Sequence, residues 1–562
     1  MKKITKIFLQ KLGLLLLILT VFVTNDGLAQ STSKKSLSDY INEAPFPMDQ
    51  IPEPKIPGKT FNITDFGAAG HGKSLNTQAI QNAIDKASNA GGGKIIIPPG
   101  LWLTGPIELK SNINLHLQRG AILLFTKDHT QFPIIKMAHT DSYYKAMPPI
   151  YGHDLTNIAI TGGGIVDGNG QSWRPVKKFK VTEDHWNELL DSGGTLSDDG
   201  DIWWPSRAAK DGERYIDSLK STDKDLTEHD YLPARDYMRP YMVVLLYSKN
   251  ILIDGPTFRN SPKFALYPQY STNLIIRNVR VDNAYWAQNG DGIDIQGGRN
   301  IAVYNNTVNA GDDGICLKSS PTDDKEFAKP ALRNVIIADN MVHHGHGGFV
   351  IGSNTDGGIK NVLVRNCDFI GTDRGIRFKS DRGDGGTVQN IYVDGIYMSD
   401  IVKQAIYFNT YYDSDGKKAK AQPVDETTPR FRNFDFKNIY CNGARTAVSM
   451  TGLPEMPIQN VSLSNIRITA EHGFSASEIE GLKMNDVDII PRSDKIFSFR
   501  NSSHIQFNNT AVPENVVTYL QLSGPKTSDI VFTNVSLPRG PKVIQLGPEV
   551  NKNVLQIKKY PK

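Results

Sequence analysis

The chain reads NIAVYNNTVNAGDDGICLK from residue 300 to residue 318, and this stretch shows the pattern that decides the fold. An Asn opens it, alternating apolar residues follow, and a second polar turn leads into another short apolar run. Alternation over about four to eight positions predicts a β-strand that is buried on one face. No part of the stretch has the period of a helix, so we expect short strands joined by turns.

The same theme recurs along most of the chain. Its copies begin at Asn157, Asn250, Asn273, Asn300, Asn334, Asn361, Asn390, Asn433, Asn460 and Asp529. Most neighbouring copies lie about 23 to 34 residues apart, a period that is typical of a solenoid. Short strands cannot bury a face alone, but parallel coils stacked on one another can.

The predicted fold is therefore all-β, a right-handed parallel β-helix. Asn tolerates the left-handed turn conformation, so the repeated Asn residues are expected at coil corners, where they form an inward amide ladder. The alternative is an antiparallel sandwich with turns every 8 to 12 residues or so, which predicts no Asn register at a long period.

The first residues predict an export signal. Several lysines precede an apolar run from Leu12 to Val23, and Gly27-Leu28-Ala29 offers small residues for cleavage. This order is that of a secretory signal peptide, so we expect residues 1–29 to be removed and the protein to be exported, to the periplasm or out of the cell. The alternative is a membrane anchor, but the run is shorter than the span of about 20 apolar residues that a membrane requires.

The rest of the chain is expected to form a linker and one domain. A linker rich in Pro and charge covers residues 30–57, and the β-helix covers residues 58–562. Residues 76–88 have the apolar spacing of an amphipathic helix, which would cap one end of the solenoid. From about Ser172 to Arg239 the repeat is interrupted by a charged insertion with a helical segment, Val181 to Leu190.

Composition excludes several classes of partner and cofactor. The formal net charge is only +4, and no basic run is interleaved with aromatic residues, so a nucleic-acid partner is not expected. The three cysteines, Cys316, Cys367 and Cys441, lie far apart in strand-like contexts. We interpret them as small buried apolar residues rather than metal ligands, and we expect no metal and no cofactor.

Four polar clusters interrupt the strand pattern at intervals of roughly one repeat. They are Asn289-Gly290-Asp291, Asp312-Asp313, Gly345-His346-Gly347 and Arg377-Phe378-Lys379. Stacked coils would bring their side chains to one face, with Asp291 and Asp312 on strands about 4.8 Å apart. Gly311 and Gly314 flank the acid pair and permit the bend that both acids need to reach that face.

Three neighbouring carboxylates cannot all stay ionised, so one of them should have a raised pKa and keep its proton. Hydrolysis of an acetal needs one acid to protonate the leaving oxygen and another carboxylate to activate water. Arg377 and Lys379 share a strand face and can balance the acids or bind a substrate carboxylate. Any single cluster could be a plain turn, but the succession of four favours a site that cleaves a glycosidic bond beside an acidic sugar.

These four motifs, in this order and spacing, resemble those of the polygalacturonases, glycoside hydrolase family 28. Asp65-Phe66-Gly67 and the helix after it extend the resemblance over nearly the whole mature chain. The resemblance implies inverting hydrolysis of α-1,4-galacturonosyl bonds in polygalacturonate. The roles that it implies are Asp312 as general acid, Asp291 and Asp313 as activators of water, His346 as partner of the acid, Arg377 and Lys379 as ligands of the substrate carboxylate, and Asn289 and Tyr412 (or its neighbour Tyr411) as substrate contacts.

Inversion leaves room for a water between the acid and the base, which are usually about 6.5–9.5 Å apart. The resemblance also implies a galacturonate substrate rather than rhamnogalacturonan, because His346 and Lys379 are retained here and these motifs are commonly altered in the rhamnogalacturonan branch of the family. The insertion contains four of the six tryptophans, and it is either a subdomain packed around them or a groove wall whose aromatic rings stack on sugars. Because it could block one end of the groove, exo-action is favoured.

Three alternatives stay open. They are a rhamnogalacturonan hydrolase of the same fold, a pectate lyase that needs Ca²⁺, and a glycan-binding β-helix without catalysis. The expected partner is an acidic plant polysaccharide or an oligogalacturonide substrate, and the protein is expected to be a monomer without a membrane span.

Overall fold

A computed structural model describes residues 35–558, apart from 138–143, 222–224, 323, 413–419, 494, 511–516, 536 and 538–542. The predicted signal peptide lies outside the described residues. The chain divides into two compact units, Met1–Glu43 and Ala44–Lys562. The described part of the first unit contains helix α1, Leu37–Asn42, whose N-terminus is closed by a capping box between Ser36 and Asp39. This helix lies inside the predicted linker, and its composition did not indicate it.

Helices are few in the second unit. Its described α-helices are α2 Thr77–Asn89, α3 Glu183–Asp191 and α4 Arg207–Lys220, and its 3-10 turns are Ile63–Phe66, His129–Gln131, Gly170–Ser172, Lys178–Lys180, Glu228–Ala234 and Lys325–Phe327. Helix α2 confirms the helix predicted over residues 76–88. It buries Ile80, Ala83, Ile84 and Ala87, the positions that the apolar spacing indicates, in the main core.

Strands outnumber helices in the described part of the second unit. In chain order they are β1 Thr60–Asn62, β2 Gly93–Ile97, β3 Gly100–Thr104, β4 Ile107–Glu108, β5 Ile113–Leu117, β6 Ala121–Phe125, β7 Ile134–Lys136, β8 Tyr144–Ala146, β9 Ile150–His153, β10 Thr156–Gly162, β11 Ile165–Asp167, β12 Val176–Lys177, β13 Thr195–Leu196, β14 Ile202–Trp204, β15 Val243–Leu246, β16 Lys249–Asp254, β17 Thr257–Arg259, β18 Gln269–Arg277, β19 Arg280–Asp282, β20 Ile293–Tyr304, β21 Thr307–Asn309, β22 Asp313–Lys318, β23 Leu332–Ala338, β24 Met341–His343, β25 Gly347–Ile351, β26 Ile359–Ile370, β27 Arg374–Lys379, β28 Thr387–Asn409, β29 Arg430–Thr451, β30 Ile458–Ala470, β31 His472–Ser477, β32 Ile479–Pro491, β33 Lys495–Arg500, β34 Ser503–Asn508, β35 Thr518–Ser523, β36 Ser528–Thr533, β37 Ile544–Leu546 and β38 Leu555–Lys558.

Within the described residues, 33 of these strands form one sheet, in which the strands pair in parallel from coil to coil. Two small antiparallel sheets, β7–β8 and β12–β14–β13, stand apart from it. Register keeps apolar residues in rows: Leu274 pairs with Ile301 and Ile301 with Val335. These rows fill the inside of the coils. The right-handed parallel β-helix predicted from the repeat is thus confirmed.

The repeated Asn residues form a ladder at one corner of the coils. Each amide nitrogen donates to the amide oxygen of the coil before; the Asn273 Nδ2 to Asn250 Oδ1 distance is 2.9 Å, and the Asn361 Nδ2 to Asn334 Oδ1 distance is 3.1 Å. All have positive φ, as the turn argument predicts. The inward direction was wrong, because most members are half-buried and Asn433 and Asn460 are exposed.

The insertion folds as a packed subdomain. It contains α3, α4 and the small sheet of β12, β13 and β14. Trp186 and Trp203 are buried against Val176 in a cluster of their own, and Trp173 is buried in the main core. This confirms the interpretation in which tryptophan fills a core. In the described residues no helix is long and apolar enough to cross a membrane.

Candidate active site

Four stacked strands position the polar clusters. Ile293 of β20 pairs with Ile315 of β22, Ile315 with Phe349 of β25, and Phe349 with Ile376 of β27. These four residues are fully buried. Because strand side chains alternate between faces, burying this row inside the coil presents the neighbouring polar residues on its outer face.

The register differs by one residue from the one expected. The pairing of Ile293 with Ile315 sets Asp291 beside Asp313 rather than beside Asp312, and the Gly292 amide donates to the Asp313 carbonyl at 2.9 Å. Both acids reach the same region because the chain bends at the pair. A Cβ on Gly314 would lie 2.5 Å from Val342 Cγ1, and one on Gly311 would lie 2.4 Å from the Ala287 carbonyl. The two flanking glycines are therefore required for close packing.

The three predicted acids converge. One oxygen from each of Asp291, Asp312 and Asp313 lies within 4.8 Å of the others. Asp291 is 3% exposed and Asp313 is 2% exposed, whereas Asp312 is half-buried. At 4.8 Å or less, the closest carboxylate oxygens of the trio are nearer to one another than the separation of about 6.5–9.5 Å expected between the acid and the base.

Asp313 is held by two cations. Its Oδ1 accepts from Arg377 Nη1 at 3.0 Å and its Oδ2 from Lys379 Nζ at 2.8 Å. Burial pushes the pKa of Asp313 upward, but Lys379 and Arg377 outweigh burial and hold that pKa well below its usual range. Asp313 is thus the acid that stays ionised.

Asp291 has the opposite environment. Burial, together with repulsion from Asp294 and Asp312, raises its pKa well above the usual range. Its Oδ1 has no hydrogen-bond partner, and its Oδ2 is 3.8 Å from Lys318 Nζ. The expectation that one acid has a raised pKa is met at Asp291, whereas the resemblance assigns the acid role to Asp312.

Two further charged residues complete the buried network, and the sequence interpretation gave neither of them a role. Lys318 Nζ donates to Asp294 Oδ2 at 2.6 Å and lies 3.0 Å from Cys316 Sγ. Burial raises the pKa of Asp294 to about 6, although Lys318 opposes this. Strand alternation was the signal that could have found Asp294, because it faces outward between Ile293 and Ile295.

His346 lies beside the most accessible acid. Its Nδ1 is 2.8 Å from Asp312 Oδ1, and its Nε2 is 3.3 Å from Lys180 Nζ. Lys180 belongs to the insertion, and it also donates to the Gly311 carbonyl at 3.1 Å. At the other end of the insertion, Arg239 donates to Asn289 Oδ1 at 2.9 Å. The insertion therefore does contact the site, but through cations rather than tryptophans.

The two cations face one aromatic ring. Arg377 Cζ is 5.2 Å and Lys379 Nζ is 4.9 Å from the centre of the Tyr412 ring. Tyr412 is 36% exposed, whereas Tyr411 is 5% exposed and its ring lies 5.4 Å from Arg382 Cζ. Geometry thus brings Tyr412, and not Tyr411, to the predicted carboxylate-binding residues. Its contact with substrate stays a prediction.

The acid trio is also, among the described residues, the group of acidic side chains whose spacing could hold a metal ion. Positive charge already occupies this region, because Arg377 and Lys379 bind Asp313 and Lys318 lies next to Asp291. A divalent cation does not fit that charge balance. The three cysteines are buried and unpaired, as expected for small apolar residues.

Comparison with known proteins gives a consistent family. The model for "Glycosyl hydrolases family 28" matches residues 176–488, and one for "Rhamnogalacturonase A/epimerase, pectate lyase-like" matches residues 60–146. The chain is 30% identical over 455 residues to the exo-poly-alpha-D-galacturonosidase of Dickeya chrysanthemi, which covers 76% of this chain and 71% of that protein. It is 27% identical to a probable polygalacturonase of Vitis vinifera over 75% of this chain and 77% of that protein.

Solved structures agree in fold. The hyperthermoactive exopolygalacturonase from Thermotoga maritima superposes with a TM-score of 0.66 at 27% identity, covering 81% of this chain and 95% of that one. The family 28 exopolygalacturonase of Yersinia enterocolitica has the same fold, with a TM-score of 0.61 at 23% identity over 81% of this chain and 79% of its own. The family match spans more than half of the chain, and the chain therefore belongs to glycosyl hydrolase family 28.

Proposed function

We propose that this glycoside hydrolase cleaves α-1,4-galacturonosyl bonds of polygalacturonate, releasing sugar from a chain end. The observation that carries the proposal is the placement of Arg377, Lys379 and the Tyr412 ring directly beside the acid trio. A cationic pocket next to acids that perform hydrolysis suits a sugar that bears a carboxylate. Similarity to the exo-poly-alpha-D-galacturonosidase of Dickeya chrysanthemi and to the exopolygalacturonase of Thermotoga maritima supports the same substrate.

The chemistry assigned to the acids follows from their accessibility. Asp312 is the most exposed of the three and contacts His346, so it is the acid that can reach the leaving oxygen. Asp313 stays ionised and takes the proton of the attacking water, and Asp291, whose Oδ1 has no hydrogen-bond partner, orients that water. A single displacement follows, in which the product has inverted anomeric configuration. Proton NMR of the first product formed tests it, and a retained anomer would contradict it.

The exo assignment is supported by the insertion. Lys180 and Arg239 both contact residues of the acid-bearing coils, so the subdomain lies against the catalytic groups on that side. We propose that it limits the groove to the end of a chain. Purified protein is incubated with polygalacturonate and with short oligogalacturonides, and the products are separated by size. We expect galacturonic acid alone at early times, and a ladder of oligomers would contradict exo-action.

A second substrate is worth testing because residues 60–146 match a family named for rhamnogalacturonase. Rhamnogalacturonan in the same assay decides between the two backbones. A Ca²⁺-dependent lyase would lose activity when a chelator is added, and its unsaturated product would absorb in the ultraviolet. Activity that survives the chelator without such absorbance excludes it.

We propose further that the protein is exported after cleavage near Ala29 and that it is a monomer. N-terminal sequencing of protein from the native host and light scattering test these two points.

A further inference from the structure

Lys180 reaches from the insertion into the pair formed by the proposed acid and its histidine. It ends the 3-10 turn Lys178–Lys180, far in sequence from both partners. Its Nζ lies 3.3 Å from His346 Nε2 and 3.1 Å from the Gly311 carbonyl, the residue just before Asp312. One side chain of the subdomain thus touches both the histidine and the backbone that carries the acid.

The contact fixes which nitrogen of His346 carries the proton. A lysine ammonium has donors and no acceptor, so His346 Nε2 must be the acceptor in this contact. The proton of a neutral imidazole then resides on Nδ1, which donates to Asp312 Oδ1 at 2.8 Å. A doubly protonated imidazolium would direct an N–H at the ammonium, and the two positive charges would repel each other.

We propose that Lys180 is a positioning residue that holds His346 as the neutral Nδ1–H tautomer and so keeps a second positive charge away from Asp312. This rests on the proposed function, because it takes Asp312 as the general acid. An imidazolium 2.8 Å from Asp312 would stabilise the ionised carboxylate and deprive the site of its acid. A neutral imidazole orients the carboxyl group with one hydrogen bond and adds no charge.

Other charged groups face this pair and form a fixed background. The nearest are Asp291 and Asp313, each with an oxygen within 4.8 Å of an Asp312 oxygen. The others are Lys177 from the insertion, Asp373 and Lys403 from neighbouring coils, Arg377 and Arg239 near Asp312, and the Tyr285 ring 5.6 Å from Lys180 Nζ. Asp373 and Lys403 bind each other at 2.7 Å and largely cancel. Burial lowers the pKa of Lys180, and Asp312 opposes that shift. Lys180 remains the cation in hydrogen-bond contact with the imidazole.

The test compares Lys180→Met with Lys180→Arg. Methionine keeps the length without donors, whereas arginine offers only donors and preserves the tautomer. In Lys180→Met we expect kcat to fall about tenfold, with KM changed less than about twofold, because the acid is misplaced but the roughly 10²–10⁴-fold contribution of general acid catalysis is not wholly lost. The alkaline limb of the kcat/KM profile should move to lower pH by about one unit, because His346 then takes up a second proton beside Asp312. In Lys180→Arg, kcat and the position of the alkaline limb should both stay close to those of wild type.

A purely electrostatic role for Lys180 predicts the reverse shift, because loss of a positive charge favours protonated Asp312. An alkaline limb that moves to higher pH or stays in place therefore overturns the proposal. A rise in KM at unchanged kcat also overturns it and makes Lys180 a substrate ligand. Lys178→Met, in the same turn but exposed, is the matched control and should behave as wild type.

A readout without substrate separates this proposal from the proposed function. Imidazole ¹⁵N shifts of the histidine-labelled enzyme distinguish the two neutral tautomers and the imidazolium, and the His346 signal is assigned by its loss in His346→Gln. We expect the Nδ1–H tautomer in wild type and imidazolium in Lys180→Met at the same mildly acidic pH. Wild type in the Nε2–H form overturns the proposal whatever the enzyme hydrolyses. Absence of galacturonan hydrolysis with the Nδ1–H tautomer present overturns only the proposed function.

Discussion

Asp313 and Lys379 form a buried ion pair, in which Lys379 Nζ donates to Asp313 Oδ2 at 2.8 Å and both side chains are almost completely shielded from water. Strand register brings them together although 66 residues separate them in the chain. A carboxylate buried in this way stays ionised only because cations surround it. The pair therefore links the stability of the coils to the charge that the chemistry needs.

Replacing Lys379 by Met should destabilise the fold strongly. Removal of one partner from a buried pair usually costs about 3–5 kcal/mol, and we expect about 3 kcal/mol because Arg377 remains bound to Asp313. Urea unfolding followed by circular dichroism measures it. Addition of Asp313→Asn should recover part of the loss, because no buried charge is then left uncompensated.

The matched control is Lys437→Met, which removes the 2.6 Å pair with Asp435 at a half-exposed site on another coil. Such surface pairs contribute no more than about 1 kcal/mol. Equal losses in Lys379→Met and Lys437→Met would contradict the importance of burial.

Asp312→Asn should lose nearly all turnover on polygalacturonate, about 10³-fold, without unfolding, because protonation of the leaving oxygen is lost. The same variant should retain much more activity on an aryl galacturonide whose leaving group needs no proton. Asp291→Asn, by contrast, should be impaired on both substrates, since activation of water is still required. If Asp291→Asn is the variant rescued by the aryl leaving group, the raised pKa of Asp291 marks the true acid and the two roles are exchanged.

Asp294 should make stability depend on pH between about 4 and 6. Its pKa is 3.8 in an ordinary setting and about 6 when buried in the fold. A carboxyl whose pKa is raised by folding contributes stability that is present below its unfolded pKa and is lost as the pH rises through the folded value. In Asp294→Asn this loss is absent, so the Tm difference, variant minus wild type, should become more positive as the pH rises from about 4 to 6. Thermal scans across that range measure it, and a constant difference would contradict the assignment.

Substitution of Tyr412 should weaken substrate binding, whereas substitution of Tyr411 should not. Tyr412→Phe removes a hydroxyl from the ring that faces Arg377 and Lys379, and we expect KM for oligogalacturonides to rise several-fold with a smaller effect on kcat. Tyr411→Phe is the matched control, because that ring is buried beside Arg382. A larger change in KM for Tyr411→Phe would reverse the assignment of the subsite.

Much of the fold and the core of the site followed from repetition. The Asn period implied stacked coils, and stacking alone predicts that Asp291, the pair Asp312-Asp313 and Lys379 lie on one face. The exact partner of Asp291 did not follow, because a bend of one residue at Asp312 shifts the register and no local pattern fixes its direction. Lys318 was missed because its importance comes from contact with Asp294 on the neighbouring strand, which depends on that register.

The insertion was the least predictable part. Its tryptophans were the conspicuous signal, yet they fill interior space. The residue that reaches the acids is Lys180, one of four lysines and arginines between residues 174 and 180. Nothing in its sequence context distinguishes it, since its contact with His346 depends on how the subdomain docks on coils that come 131 or more residues later.

The acid-bearing coils lie in the interior of the stack, with the strands of the large sheet from β1 to β19 before them and β28 to β38 after them. In an array where each rung touches only its neighbours, partial melting starts at the two tips and advances inward. Several coils therefore separate the acids from each end of the stack, and these coils unfold first. Activity should persist after the outermost coils have unfolded, so the additional coils protect catalysis against partial unfolding of the ends.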